Sequence, residues 1–483
     1  MPSSDLKSAK LNLWKESIDS TLSMIFSVSL DILHISILVR LLTQEDVGIF
    51  FFTYALVYLF IQVTSGYGKA IRKRASEQNT GRSEYLWSGI IVTIPTLAFI
   101  FIIFLFFQPI INSYSSVYLS NMTVFSMYMA VIGYGILEIS RYYLAGCNRP
   151  GFAEKIRATV AKISMITVTL ISLWFYPTVE VALLSVAITY GLTGLFLLWV
   201  SPHQFTYLKR EKILEILRFS KWSLPTSILN DFYHRWDTIV LGFMVGSISL
   251  GYYESSLRIA FLSAVLGVGL SKSANVKISG LNETGKEILP LSRRLIISST
   301  FLVMPMLLII IFNSEYILST IYGVEYKGAK WYLIGVTVTQ IFQCYRMQFE
   351  SIFNGMNKPK QTTKTSGVSV FINILTAPIL VILFGGLGVI YSTILSELIR
   401  IVLYQVQIKN IFDTFITPKG TISQLIIFAI IYFSIKIISD IFILSNLNLL
   451  IISSFISIVG FYSLQYILSE ETRLIVNEYK KEI

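Results

Sequence analysis

Ionisable residues concentrate in a strongly apolar stretch of the chain, residues 229–277, whose pattern predicts two membrane-spanning helices joined by a short turn. Six ionisable side chains fall inside these two predicted spans: Asp231, His234, Arg235, Asp237, Glu254 and Arg258. Such groups are costly at bilayer depth, so a chain keeps them mainly where they face protein or a water-filled path. They either pair to hold helices together or line a polar cavity, and six in one hairpin favour a cavity.

The arginines of this hairpin have two interpretations. Arg235 follows Asp231 by four residues, and Arg258 follows Glu254 by four, so each pair shares a helix face and suits an intrahelical salt bridge. Alternatively, Arg235 and Arg258 line the cavity with Arg40 and bind an anion, because a guanidinium contacts two phosphate oxygens at once. The two acids would line the same cavity. Arg40 could instead extend to the outer membrane interface.

A second acid–imidazole pair lies in the first predicted span. Asp31 and His34 are three residues apart, on one helix face. An offset of 203 residues aligns Asp31 with His234 and His34 with Asp237. We hypothesise that these four groups meet and titrate during a transport cycle, because histidine changes charge most readily near physiological pH. The alternative is that each pair hydrogen-bonds within its own helix.

Composition identifies the class of protein that positions these residues. Of the 483 residues, 54% are hydrophobic and 14% are charged, with a mean hydropathy of +0.67. A soluble protein carries about 25% charged residues. Apolar runs near the ~20 residues needed to cross a bilayer recur along the chain and predict an all-α integral membrane protein with about 14 transmembrane helices.

Several kinds of site and segment are excluded. Cys147 and Cys344 are isolated, which excludes a disulfide framework and a thiolate metal cluster. Three histidines are too few for a multi-metal site, and we predict no metal, no cofactor and no catalytic residue. Residues 1–17 lack the apolar core of a cleavable signal peptide.

Lysine and arginine are concentrated in alternate loops, which places both termini and these loops on the cytoplasmic side of the cell membrane. This topology accounts for most of the net charge of +11, so we predict no nucleic-acid partner. The predicted domains are an N-lobe of six helices (1–202), an amphipathic cytoplasmic linker (203–221), a C-lobe of six helices (222–410), and two further helices with a cytoplasmic tail (411–483).

Two landmarks repeat along the chain and indicate an internal duplication. GCNRP at 146–150 recurs as GMNKP at 355–359, and VGIFF at 47–51 resembles LGYYE at 250–254. Both repeats fit a register of six spans, so the halves enter the membrane in the same direction. We therefore predict two pseudo-symmetric lobes with a central cavity between them.

The remaining intramembrane charges are spaced for structural ion pairs or for anchoring. Three pairs at i,i+3 or i,i+4 are Glu138 with Arg141, Arg346 with Glu350, and Glu397 with Arg400. Lys162 is predicted to extend inward to the membrane interface.

Motifs in both halves resemble the polysaccharide flippases of the O-antigen type, within the multidrug/oligosaccharidyl-lipid/polysaccharide exporter superfamily. They are RLLTQEDVGIFFFTYAL (40–56), GCNRP, DTIVLGFMVGSISLGYYESSLRIA (237–260), IYGVEYKGAKWYLIG (321–335) and GMNKP. The resemblance implies two six-helix bundles around a cavity lined by spans one, two, seven and eight. It also implies a substrate, a polyprenyl- or dolichyl-linked oligosaccharide, that moves from the cytoplasmic to the outer leaflet by alternating access.

We expect a monomeric transporter. Its expected partners are the lipid bilayer, this glycan substrate, and glycosyltransferases or a polymerase of the same pathway. A cation-coupled multidrug or small-molecule exporter of the same fold is the alternative, because fold alone does not separate the two and the cavity carries acids as well as bases. A membrane glycosyltransferase or polymerase is disfavoured, since the sequence has no acidic DxD pair and no large external loop.

Overall fold

A computed structural model of the chain describes residues 13–77, 81–207, 209–285, 287–416, 419–442 and 445–474. The side chains of a few residues within its helices, among them Asp231, are outside this description. The described residues form helices joined by short turns, with no strand. This confirms the predicted all-α class.

Fourteen helical segments follow one another along the described chain. They are α1 (Leu13–Leu41), α2 (Gln44–Glu77), α3 (Arg82–Tyr114), α4 (Asn121–Gly146), α5 (Pro150–Phe175), α6 (Val179–Trp199), α7 (Arg210–Met244), α8 (Ser247–Glu283), α9 (Leu289–Tyr322), α10 (Lys330–Gly355), α11 (Pro359–Phe384), α12 (Gly388–Phe412), α13 (Lys419–Ile441) and α14 (Asn446–Leu468). The helices α5 and α14 each contain one π-helical turn, and α9 is interrupted between Ser299 and Val303.

Eleven segments of the described residues are long and apolar enough to cross a membrane. One of these segments, Pro359–Phe412, contains both α11 and α12. The helices α7 and α10 are the two of the fourteen that are not among these segments. The fourteen helices agree with the approximate prediction of 14 spans.

The chain divides into two compact units. The first unit is Leu30–Glu254, and the second comprises Met1–Ser29 and Ser255–Ile483. The predicted division at residues 203–221 stays a prediction.

In the first unit, small residues allow α4 and α6 to approach closely. A Cβ added at Gly133 would lie 2.1 Å from the carbonyl oxygen of Ala187, and one at Gly194 would lie 2.6 Å from the backbone nitrogen of Leu137. Such close approach is typical of membrane helices, whose association depends on packing rather than on hydrophobic burial. These two glycines therefore fix the helix pair that carries the polar residues described below.

The second unit holds α13 and α14 through buried polar contacts to α9. Asn313 donates from Nδ2 to the hydroxyl of Ser453 on α14 at 2.7 Å. The hydroxyl of Thr300, in the interruption of α9, donates to Oε1 of Gln424 on α13 at 3.0 Å. In an apolar setting these bonds fix the rotation of the two last helices relative to α9.

The repeated pentapeptides form the same turn in both units. Asn148 and Asn357 adopt left-handed backbone conformations, with φ of 64° and 58°. The N–H of Arg149 bonds to the carbonyl of Leu144 at 3.1 Å, and that of Lys358 bonds to Phe353 at 2.8 Å. This is the Schellman helix ending, and the proline that follows starts the next helix.

The glycine before each turn also makes an equivalent contact. A Cβ at Gly146 would lie 2.8 Å from the carbonyl oxygen of Arg72 on α2, and one at Gly355 would lie 3.0 Å from that of Asn275 on α8. Arg72 and Asn275 are 203 residues apart, the offset of the aligned first spans. The duplication seen in the sequence is therefore present in the packing within each unit.

The predicted linker 203–221 forms two different structures. Residues 202–207 and Lys209 have no regular structure, and α7 then runs without a break from Arg210 to Met244. No glycine or proline lies between Arg210 and Trp222 to end the helix before the predicted span. Ile216 on this part of α7 is fully buried in a cluster with Tyr85 of α3.

Candidate functional site

Two polar contacts join α1 to α5 within the first unit. Nζ of Lys162 lies 2.7 Å from the carboxylate of Asp31, and Nε2 of His34 lies 3.2 Å from the hydroxyl of Thr169. Asp31 and His34 lie about one turn apart on α1, and Lys162 and Thr169 lie about two turns apart on α5. Each helix therefore contributes one polar face to the contact. The side chain of Asp31 is 42% exposed and that of Lys162 is 22% exposed, so the ion pair is open on one side.

Four tyrosines from three helices of the same unit form a contiguous cluster. The hydroxyl of Tyr58 lies 3.5 Å from that of Tyr54 and 3.3 Å from that of Tyr134. The rings of Tyr134 and Tyr190 lie edge to face, with centroids 4.5 Å apart. We call Tyr54, Tyr58, Tyr134 and Tyr190 the tyrosine cluster. Tyr134 and Tyr190 are buried, whereas Tyr54 and Tyr58 are half-buried. The two half-buried tyrosines offer apolar ring faces and hydroxyl groups together.

Arg235 of α7 contacts the tyrosine cluster directly. Its guanidinium carbon lies 4.5 Å from the centroid of the Tyr58 ring, within the range of a cation–π interaction. The carboxylate of Asp31 lies close enough to Tyr190 to act on it electrostatically, and so does Arg157 of α5. The cluster therefore has charges of both signs at its edges.

Two acids of the α7–α8 hairpin accept hydrogen bonds within that hairpin. The Tyr253 hydroxyl donates to Asp237 at 3.0 Å, and the Thr238 hydroxyl donates to Glu254 at 2.6 Å. Glu254 is 1% exposed. These contacts favour a role in holding the hairpin together.

The other predicted site residues lie in varied settings. Arg40 is exposed in the last turn of α1, and His234 is exposed on α7. Arg258, in the second unit, is half-buried and acts electrostatically on Tyr322, whose hydroxyl donates to the carbonyl of Ser255 at 3.1 Å. The side chain of Asp231 lies outside the described residues.

The structure thus brings Arg235, Asp31 and His34 into the neighbourhood of one polar region of the first unit. The joint titration of Asp31, His34, His234 and Asp237 stays a prediction, as do the roles of Arg40, Arg258 and Glu254. Lys162, predicted to extend to the interface, instead pairs with Asp31. Sequence reasoning also missed the tyrosine cluster, because nothing in the sequence distinguishes its members from other interfacial tyrosines.

Two groups of four charged side chains lie near the ends of α4 and α10. In the first unit, Arg141 contacts Glu138 at 2.8 Å and Glu154 at 3.1 Å, and Arg157 also pairs with Glu154. We call these four residues the open cluster. Their predicted pair, Glu138 with Arg141, is confirmed.

The second unit contains the closed cluster, which is Arg346, Glu350, Glu397 and Arg400. Arg346 contacts Glu350 at 3.1 Å and Glu397 at 3.4 Å, and Arg400 contacts Glu397 at 3.4 Å. Both predicted pairs of this unit are confirmed. The contact of Arg346 with Glu397 additionally joins α10 to α12.

Comparison with known proteins identifies the family. Residues 37–330 match the family model described as polysaccharide biosynthesis protein. The chain belongs to this family. Among the family's relatives, the chain is 24% identical over 429 residues, 86% of each protein, to the probable low-salt glycan biosynthesis flippase Agl15 of Haloferax volcanii. It is 26% identical over 215 residues, 44% of each protein, to the probable flippase AglR of the same organism.

Solved structures show the fold of this polysaccharide biosynthesis protein. The lipid II flippase MurJ in an inward closed conformation matches with a TM-score of 0.77 at 17% identity, over 95% of this chain and 100% of that one. An inward-facing multidrug resistance MATE family transporter of the MOP superfamily matches with a TM-score of 0.61 at 14% identity, over 83% and 99%. These matches confirm the predicted fold class.

Proposed function

We propose that this polysaccharide biosynthesis protein is a flippase. It moves a polyprenyl- or dolichyl-phosphate-linked oligosaccharide from the cytoplasmic to the outer leaflet by alternating access, for surface polysaccharide or glycoprotein glycan assembly. The observation that carries the proposal is Arg235 stacked on Tyr58 at the edge of the tyrosine cluster. The printed names of the two Haloferax relatives, both probable flippases, support it.

The chemistry of this region suits such a substrate. Aromatic rings present apolar faces against which a sugar ring packs, and phenol hydroxyls exchange hydrogen bonds with sugar hydroxyls. Arg235 supplies a planar donor for a phosphate, a geometry that lysine lacks. One site therefore offers groups for both the glycan and the phosphate of a lipid-linked oligosaccharide.

The Asp31–Lys162 pair is the proposed coupling element. Protonation of Asp31 would remove the charge that holds Lys162 and would weaken the contact between α1 and α5. Its proposed companions are His34, one turn further along α1, and His234 and Asp237 on α7. Arg40, Arg258, Asp231 and Glu254 are proposed to complete the substrate path.

The proposed setting is the cell membrane, with both termini on the cytoplasmic side and a monomeric transporter working beside glycosyltransferases or a polymerase. The concentration of lysine and arginine in alternate loops supports this orientation. Labelling of single cysteines introduced into the loops of intact cells tests it.

Complementation of a deletion strain tests the function. Loss of the gene is expected to cause accumulation of a lipid-linked oligosaccharide, and the wild-type gene is expected to remove it. Arg235→Ala should lower flipping by roughly tenfold or more, because a charged hydrogen bond contributes about 1.5–3 kcal/mol. Arg218→Ala is the matched control, since Arg218 is exposed on the same helix, away from the cluster. An unchanged lipid-linked pool in the deletion strain would refute the flippase.

The coupling element is tested separately. Asp31→Asn and Asp237→Asn should each abolish most transport with normal expression, whereas Asp440→Asn, exposed on α13, should behave as wild type. Full activity in both of the first two variants would remove the coupling proposal and leave the flippase standing.

A cation-coupled exporter is the second candidate, favoured by the same Asp31–Lys162 pair and by the MATE-like fold. It predicts drug sensitivity of the deletion strain with a normal lipid-linked pool.

A further inference from the structure

A cavity of about 550 Å³ lies in the second unit, at the start of α9. Its walls come from the beginning of α9, the end of α12 and the segment that follows α14. The volume is within the roughly 300–1,000 Å³ of small-molecule sites. Its lining combines apolar groups, such as Phe412 and Leu474, with the arginines Arg293 and Arg294.

Arg293 is the residue that points to a ligand. It is half-buried, its Nε is buried without a partner, and within the described residues it forms no hydrogen bond or ion pair. A buried guanidinium without an acceptor is costly, and nearly all such groups in proteins have one. An anion in the cavity would supply it.

The N-terminus of α9 also favours an anion in the cavity. The first part of α9, Leu289–Ser299, begins in the cavity wall, and no side chain caps its N-terminus. Unpaired backbone N–H groups and the helix dipole favour an anion there. Arg294 lies one residue further and donates from Nε to the Pro290 carbonyl at 3.4 Å.

Two acids in the lining limit the charge of the site. Glu471 accepts a hydrogen bond from the backbone N–H of Gly420 at 2.9 Å, which engages one of its oxygens within the protein. Glu287 is exposed at the rim. Arg293 is thus the half-buried charged group of the lining whose Nε has no partner among the described residues.

From these observations we propose that the cavity binds the phosphate of an anionic phospholipid, with Arg293 and the start of α9 on the phosphate and the apolar wall along an acyl chain. Loops rich in lysine and arginine place this end of α9 on the side assigned to the cytoplasm, where anionic lipids attract basic groups. The lipid would join α9, α12 and the segment that follows α14, and it is distinct from the glycan-bearing substrate.

Native mass spectrometry of the full-length protein tests this site without measuring flipping. The protein is released from mixed phosphatidylglycerol and phosphatidylcholine micelles, and retained lipid is counted. Wild type should retain one phosphatidylglycerol, and Arg293→Gln should lower its occupancy roughly tenfold or more. Lys360→Gln, which removes an exposed cation at the start of α11, should change nothing. Equal losses in both variants would overturn the proposal.

Two further measurements keep the result unambiguous. Glu287→Gln should increase retention, a gain that misfolding cannot produce. Soluble glycerol 3-phosphate should compete poorly, because it lacks the acyl chain that the apolar wall contacts. Displacement of the lipid by equimolar glycerol phosphate would overturn the lipid assignment in favour of a free phosphate.

Discussion

The open and closed clusters share one corresponding position in the two units, and their outer residues differ in exposure. Arg141 and Glu350 are separated by 209 residues, the offset of the repeated turns, so the same position carries opposite charges. In the open cluster the side chains of Glu154 and Arg157 are 46% and 35% exposed. In the closed cluster those of Glu397 and Arg400 are 4% and 1% exposed.

The difference lies in what each cluster contacts. Arg157 lies within electrostatic range of Tyr134 and Tyr190, so the open cluster is near the tyrosine cluster. The closed cluster joins α10 to α12 through the contact of Arg346 with Glu397. Duplication therefore supplied one charged position twice, and the surrounding packing made one copy part of a site and the other part of a core.

The largest expected effect comes from breaking the closed cluster. Arg400→Met leaves Glu397 buried and should destabilise the protein by about 3–5 kcal/mol, since removal of one partner leaves an uncompensated charge. Unfolding of the detergent-solubilised protein measures it. The double variant Arg400→Met with Glu397→Leu should recover most of the loss. A stable single variant would show that the cluster is not a core element.

The open cluster should respond in transport rather than in stability. Arg157→Gln is expected to change the free energy of unfolding by less than about 1 kcal/mol, because exposed ion pairs contribute little. Flipping should nevertheless fall severalfold, since a charge beside the tyrosine cluster is lost. Lys155→Gln, exposed on the same helix, serves as control. Unchanged flipping in Arg157→Gln would separate the open cluster from the site.

Salt should sharpen the contrast between the clusters. The screening length falls from about 10 Å at 0.1 M to about 3 Å at 1 M, and exposed pairs are screened far more than buried ones. The small destabilisation by Arg157→Gln should therefore vanish in molar salt, while that by Arg400→Met persists. Unfolding curves at both salt concentrations measure this, and a salt-sensitive Arg400→Met would contradict the burial of its cluster.

Substitutions in the repeated turns should have equal effects in the two units. Asn148→Ala and Asn357→Ala place alanine at a positive φ and should each cost about 1–2 kcal/mol in unfolding free energy. Asn→Gly at either position should be nearly neutral, because glycine adopts this conformation readily. Unequal losses would show that the repeated turns differ in energetic weight despite their common geometry.

Much of the fold followed from local patterns. Apolar runs predicted the helices, and the repeated pentapeptides indicated the duplication. Their shared asparagine accounts for the equal turns in the structure, because a Schellman ending requires one residue with positive φ that asparagine or glycine supplies. The pairs Glu138–Arg141 and Arg346–Glu350 also followed, since helical periodicity brings residues three or four apart together. The continuity of α7 from Arg210 into the predicted span was not foreseen, because residues 203–221 were interpreted as a separate amphipathic linker.

The sequence by itself determined the membrane class, the helices, the duplicated turns and the contacts within single helices, all of which depend on neighbours a few residues away. Only the tertiary structure paired Lys162 with Asp31, 131 residues apart, and stacked Arg235 on Tyr58. The tertiary structure also decided that Glu397 and Arg400 of the closed cluster are buried, while Glu154 and Arg157 of the open cluster are partly exposed. Contacts between distant helices depend on how their faces pack, and a single sequence contains no periodicity from which that packing can be read.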